Sequence, residues 1–166
     1  IRIMGTATRT YYQKSFRLYA REEYGAKRFE YPLITGLTTD NGKQTLQKFK
    51  TFILRNGGND NYFTLLRDPY VQALLPDRDF ATQGAEPCIV FINGEYWGIY
   101  SITEDYSDNY IEDNYGVDSK NTIIVKNMVN DEPKVDEGEA TDIELYKELE
   151  GCIYWRDFTQ AEHYDW

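Results

Sequence analysis

Residues 87–103, "PCIVFINGEYWGIYSIT", constrain the fold most tightly. Two apolar runs, rich in β-branched and aromatic residues, flank Asn93-Gly94. That dipeptide takes positive φ readily, which a two-residue hairpin turn requires. The first run is apolar on both faces and reads as a central strand. Gly98 interrupts the second run. It marks either a bulge or close contact with another backbone, or else room for a ligand.

Upstream, residues 10–20, "TYYQKSFRLYA", alternate as a strand does. Tyr12, Lys14, Phe16, Leu18 and Ala20 share one face. "REEYGAK" reads as a turn or loop, residues 30–36 as a short apolar piece, and Asn41-Gly42 as a turn. Residues 46–54 form the next strand and run into "RNGGND". Phe63, Leu66, Tyr70 and Ala73 or Leu74 then recur at helical spacing, with Asn59 or Asp60 as the cap. Pro69 either kinks that helix or opens a second one capped by Asp68.

Downstream of the hairpin, residues 104–116 read as a short helix stopped at Gly116. "NTIIVK" is a short strand, residues 127–139 an acidic linker or loop, and residues 140–155 a helix. Strands, a helix, a hairpin and then helices, without long parallel crossovers, predict an α+β fold. The sheet is mostly antiparallel, with a helix packed on one face.

Bulk properties narrow the function. A chain of 166 residues suits one domain with a sizeable core. The formal charge of −10 argues against a nucleic-acid polymer as a partner, because phosphate chains need a net basic face. A local basic pocket stays compatible with it. No apolar run has the length to span a bilayer, and no signal peptide is present. The chain starts at Ile1 and stops at Trp166 without a polar tail, and it reads as a piece of a longer protein. Its two cysteines, Cys88 and Cys152, fit neither a disulfide framework nor a zinc pattern, and are expected to be unbonded. One histidine, His163, gives poor support to a Ser-His-Asp or Cys-His site.

Three places could carry chemistry. Lys14 lies on an apolar strand face, where an ammonium must reach water or an anion. It is either a strand-end lysine reaching solvent or a point charge aimed at phosphate. Arg55 with Gly57-Gly58 is either a plain strand-to-helix turn or a loop that lets backbone approach a ligand. Glu104 and Asp105 form a carboxylate pair, but neighbours on a strand point to opposite faces, so one of them is better read as a helix cap. The acids at 105–118 lack calcium-loop spacing, and no metal site is assigned.

Taken together, "RIMGTATRTYYQKSFRL", "LRNGGND", Arg67-Asp68 and "VFINGEYWGIYSITED" resemble, in the same order, the blocks of the CotH family, the spore-coat H type of atypical protein kinase. The resemblance spans nearly the whole chain. Met4 stands where that family often has arginine, and Tyr12-Gln13 stand in place of its Pro-Lys. The resemblance implies a kinase-like N-terminal lobe plus C-terminal helices, with residues 1–166 forming a single partial domain. It implies ATP and magnesium as cofactors and a protein substrate. The nucleotide is expected against Lys14, Arg55, Gly98 and Glu104: Lys14 on the phosphates, the 59–75 helix in the place of the regulatory helix, and Glu104 leading into the hinge beside adenine. The metal-holding and catalytic aspartates of the family are expected outside these residues, so none is assigned here and the fragment alone is expected to be inactive. The implied location is extracellular, at a cell surface or spore coat.

Two functions follow. One is part of a kinase that moves the ATP γ-phosphoryl group to a protein Ser/Thr hydroxyl. The other is a non-enzymatic surface or spore-coat adhesion module, suited by a tyrosine-rich acidic surface with 15 tyrosines. A glycan platform should expose aromatic rings. A kinase lobe should open a cleft toward Lys14 and Gly98.

Overall fold

The computed structural model describes residues 1–39, 44–76, 78, 80–126 and 132–163. In chain order the strands are β1 (Arg2–Met4), β2 (Ser15–Tyr19), β3 (Phe29–Glu30), β4 (Thr38–Thr39), β5 (Gln44–Thr45), β6 (Lys48–Phe49) and β7 (Thr51–Arg55). Helix α1 (Arg67–Ala73) precedes the hairpin strands β8 (Ala85–Ile92) and β9 (Glu95–Glu104). Helix α2 (Asp108–Tyr115), strands β10 (Ile124–Lys126) and β11 (Lys134–Glu137), and helix α3 (Ile143–Trp155) complete the chain. It divides into two compact units, Ile1–Gly116 and Val117–Trp166. The class is α+β, as the order of apolar patterns predicts.

The first unit is built on a five-stranded antiparallel sheet in the order β1-β2-β7-β9-β8. Phe16, Leu54 and Ile102 stand in one row across its middle. Phe16, Val90 and Tyr100 form a buried cluster, with Leu18, Leu54, Cys88 and Ile92 packed on it. Burying a side chain of that size contributes roughly 1.5–3 kcal/mol. Further along, Phe29 meets Phe52 edge-on at 5.0 Å between ring centres, bringing β3 over the sheet. The hairpin turns at Asn93 (φ 53°) and Gly94 (φ 84°), both positive as a type I′ turn demands. Helix α2 is capped by Ser107, whose hydroxyl accepts from the Tyr110 N–H at 3.2 Å, and it stops at Gly116 with φ 70°.

Several expectations are corrected. Strand β8 is an edge strand, not a central one. Its second apolar face, Ile89 and Phe91, is exposed, because an apolar pattern does not tell whether anything lies over it. The strand read over 10–20 begins only at Ser15, since a 3₁₀ turn over Ala7–Thr10 precedes it. The strand read over 46–54 breaks at Lys50 into β6 and β7. The helix read over 59–75 shrinks to a 3₁₀ turn at Gly58–Asp60 and the seven-residue α1, separated by Leu65 at φ 63°. Pro69 sits in the first turn of α1, where a missing N–H costs nothing. Neither Glu104 nor Asp105 caps α2; Ser107 does. The linker read over 127–139 contains β11, paired with β10. The turn read at Asn41-Gly42 lies outside the described residues.

In the second unit, β10 and β11 pair antiparallel, and Lys126 forms an ion pair with Asp136 across them. Helix α3 falls within the helix read over 140–155. Cys88 and Cys152 are both free.

Candidate functional site

Because Phe16, Leu54 and Ile102 are level, Lys14 and Arg55 come together at one end of the sheet. Glu104 ends β9 at the other, level with Phe52 and Leu18. The structure thus brings three predicted residues, Lys14, Arg55 and Gly98, to one end and sets Glu104 apart from them. The four-residue step from Tyr100 to Glu104 along β9 corresponds to about 13 Å.

The first corner turns on Asn56, which is wholly buried. Its Nδ2 donates to the Gln13 carbonyl at 2.6 Å. Its Oδ1 accepts from Ser15 Oγ at 2.7 Å and from the Gly58 N–H at 3.0 Å. Its own N–H donates to Ser15 Oγ at 3.0 Å, and its carbonyl accepts from Asn61 Nδ2 at 2.6 Å. Gly57 (φ 85°) and Gly58 (φ 59°) make the turn that lets this happen, in a region glycine enters without strain. Arg55 lies over that turn and pairs with Asp68 at the start of α1, at 3.0 Å. Asp60 is buried and gathers the Thr64 hydroxyl, the N–H groups of Thr64 and Arg67, and the Arg67 guanidinium. The Thr64 hydroxyl is the main cause that holds the Asp60 carboxyl below its ordinary range.

Lys14 immediately precedes β2. Its ammonium donates to the Arg9 carbonyl at 2.7 Å and makes no ion pair among the described residues. Among the described residues it is held at the corner by that neutral dipole alone. Gly98 has φ 123° and sits at the irregularity in the β8–β9 register. A Cβ there would come within 2.9 Å of Gln13 Nε2. That amide donates to the Ile99 carbonyl at 2.8 Å. Gly98 is thus a bulge closely approached by Gln13, the first of the two meanings read from its position.

The second corner is a buried carboxyl. Glu104 is only 3% exposed. Its Oε2 accepts from the Gly84 N–H at 2.8 Å and its Oε1 from Asn114 Nδ2 at 2.9 Å. Its backbone carbonyl accepts from Gln83 Nε2 at 2.7 Å, and its N–H donates to the Gly84 carbonyl. Burial pushes this carboxyl above its ordinary value, against the pull of Asn114 and Gly84, and the Asp113 charge adds to the rise. Burial also raises Asp113, although Arg28 grips both its oxygens at 2.8 and 2.7 Å. Tyr106 and Tyr110 beside Glu104 are raised by burial first and by its charge second. Asp105 points away and pairs with Arg17 at 2.8 Å.

Sequence reasoning missed Asn56 and Gln13 as organisers, and read Asp60 only as one of two candidate helix caps. Only "RNGGND" signalled the first, and an Asn beside two glycines looks like any turn residue.

The arrangement defines an antiparallel α+β protein with a cationic, glycine-turned corner at one end of its sheet and a buried carboxyl at the other. The family model described as "CotH kinase protein" matches residues 1–161. The chain belongs to this kinase family. No curated protein and no solved structure matches it.

Proposed function

We propose that this chain supplies the nucleotide-binding part of a protein kinase that transfers the ATP γ-phosphoryl group to a protein Ser/Thr hydroxyl. The observation that carries this reading is Lys14, a cation without an ion pair among the described residues, placed beside the Gly57-Gly58 turn in a CotH-family chain. An ammonium held only by a carbonyl can exchange that dipole for a phosphate oxygen and gain a charge-assisted bond. Arg55, held by Asp68, braces the corner. The backbone at Gly98 borders the same end of the sheet, and the segment that leaves β9 at Glu104 takes the adenine side. The five-stranded sheet with α1 between its third and fourth strands supports a kinase small lobe.

Magnesium, when bound, neutralises charge on the transferring phosphates. Among the described residues no group of three or more His, Cys, Asp or Glu is placed to hold an ion. The part proposed for Lys14 and its corner is to bind and orient the phosphates. Among the described residues no helix is long and apolar enough to cross a membrane. An extracellular setting, at a cell surface or spore coat, belongs to the same proposal.

An adhesion module is the second reading. It is favoured by one observation, the exposed Phe91 and Tyr96 rings, 5.7 Å apart on the hairpin.

The test is titration with ATP and magnesium of wild type and Lys14→Ala, with a thermal melt as the folding control. Loss of a charge-assisted phosphate contact costs about 1.5–3 kcal/mol, or roughly a tenfold to hundredfold loss of affinity. Equal affinities with equal melts would remove Lys14 from the site.

A further inference from the structure

The hydrogen bonds of Asn56 fall on both sides of one residue. Its Nδ2 holds the carbonyl of Gln13, and its Oδ1 and N–H hold the hydroxyl of Ser15. Lys14 lies between them. The same Oδ1 takes the Gly58 N–H, so one side chain joins the lysine segment to the glycine turn. The carbonyl of Asn56 is held in its turn by Asn61. With both ends of its amide engaged in a fully buried place, the Asn56 side chain has no second position to adopt. Lys14 has no such fixation of its own. Among the described residues its long side chain reaches only the Arg9 carbonyl, and its stem would wander if the backbone beneath it did.

We infer that Asn56 is a positioning residue for phosphate binding: it clamps Gln13 and Ser15, so that the backbone carrying Lys14 is fixed beside the Gly57-Gly58 turn. This rests on the nucleotide reading above and adds to it the residue that fixes the geometry. Asn is suited to the task because one planar group must donate to a carbonyl and accept from a hydroxyl and an N–H at once. Aspartate keeps the shape and the acceptor but sets an oxygen against the Gln13 carbonyl. Serine at 15 is suited because its hydroxyl donates to Oδ1 while accepting from the Asn56 N–H.

The experiment uses the whole chain and three substitutions, Lys14→Ala, Asn56→Asp and Ser15→Ala, singly and with Lys14→Ala added to each of the others. ATP with magnesium is the titrant, and melts identify the folded variants. Ser15→Ala removes one hydroxyl and keeps the test alive if Asn56→Asp does not fold. The expected result is a threefold to tenfold weaker affinity for Ser15→Ala, of the order that one hydrogen bond contributes. Little or no further loss is expected when it is combined with Lys14→Ala. Residues that act through the lysine cannot matter once it is gone, whereas a merely structural effect would add. Independent losses, or wild-type affinity in Ser15→Ala, would overturn the inference while leaving Lys14 as a phosphate ligand.

A second readout needs no nucleotide. The rate at which an amine-acylating reagent modifies Lys14, mapped by mass spectrometry, should change in Ser15→Ala while Lys27 and Lys48 keep theirs. A changed Lys14 rate without ATP binding in wild type would uphold the clamp and sink the nucleotide reading. An unchanged rate would overturn the clamp.

Discussion

Glu104 shows how a single residue can be placed rightly while its burial goes unread. Its position at the end of the second hairpin strand follows from the sequence. Its burial does not, because the loop and helix that cover it, through Gly84 and Asn114, are distant in the chain. The consequence for pH is definite in sign. A carboxyl whose folded-state value is raised favours the folded state most when protonated. Its stabilising effect is complete below the ordinary value of 4.5 and is lost as pH rises through the folded-state value. Glu104→Gln should therefore melt at or above wild type at neutral pH, because the uncharged amide keeps an acceptor for the Gly84 N–H. The two melting curves should converge in acid. A series of melts across pH checks this, and a wild-type advantage at neutral pH would contradict it. Asp60 works in the opposite sense. Its lowered value means that it stabilises above its ordinary range, and this contribution fades as pH falls.

The hairpin shows the same division among the elements. Its turn and both strands were legible because Asn93-Gly94 and the β-rich runs act locally. Its place at the sheet edge was not, because strand order depends on β2 and β7, far away in sequence. Two substitutions on this sheet should differ sharply. Phe16→Ala empties a buried place in the core and should cost about 3–5 kcal/mol. Phe91→Ala, on an exposed face, should change stability by roughly 0.5 kcal/mol or less. Denaturant midpoints with unchanged slopes give the comparison. Gly98→Ala tests the bulge. Positive φ and the Gln13 amide 2.9 Å from the new methyl together predict a loss of about 1–3 kcal/mol. A neutral Gly98→Ala would mean that β9 can flatten there.

For the whole molecule, composition suited an ordinary globular chain, but it did not mark the division at Gly116. That boundary was legible only as a helix stop, since a glycine C-cap looks the same inside a domain and at its end. The first unit has its own sheet and core. Residues 1–116 made alone should retain a cooperative melt and the β-rich circular dichroism of the whole chain. Limited proteolysis of the intact chain should cut near Val117, which is exposed, before it cuts within the sheet. A fragment 1–116 without a melting transition would show that the units depend on each other.

The Asn56 clamp also bears on how the protein ages. Asparagine before glycine loses its side-chain amide when the following backbone nitrogen attacks the side-chain carbonyl, and this chain has Asn-Gly at 41–42, 56–57 and 93–94, the last two within the described residues. Asn93 stands exposed at the tip of the hairpin. Asn56 has its carbonyl oxygen held by Ser15 and Gly58 and its amide nitrogen by Gln13, so its carbonyl carbon cannot swing onto the Gly57 nitrogen while the sheet is folded. Stored protein should accumulate isoaspartate at 93 long before 56, and mild denaturant should bring the two rates together. Because conversion at 56 would leave an oxygen facing the Gln13 carbonyl, a molecule that once unfolded long enough to lose that amide would refold with its corner permanently loosened.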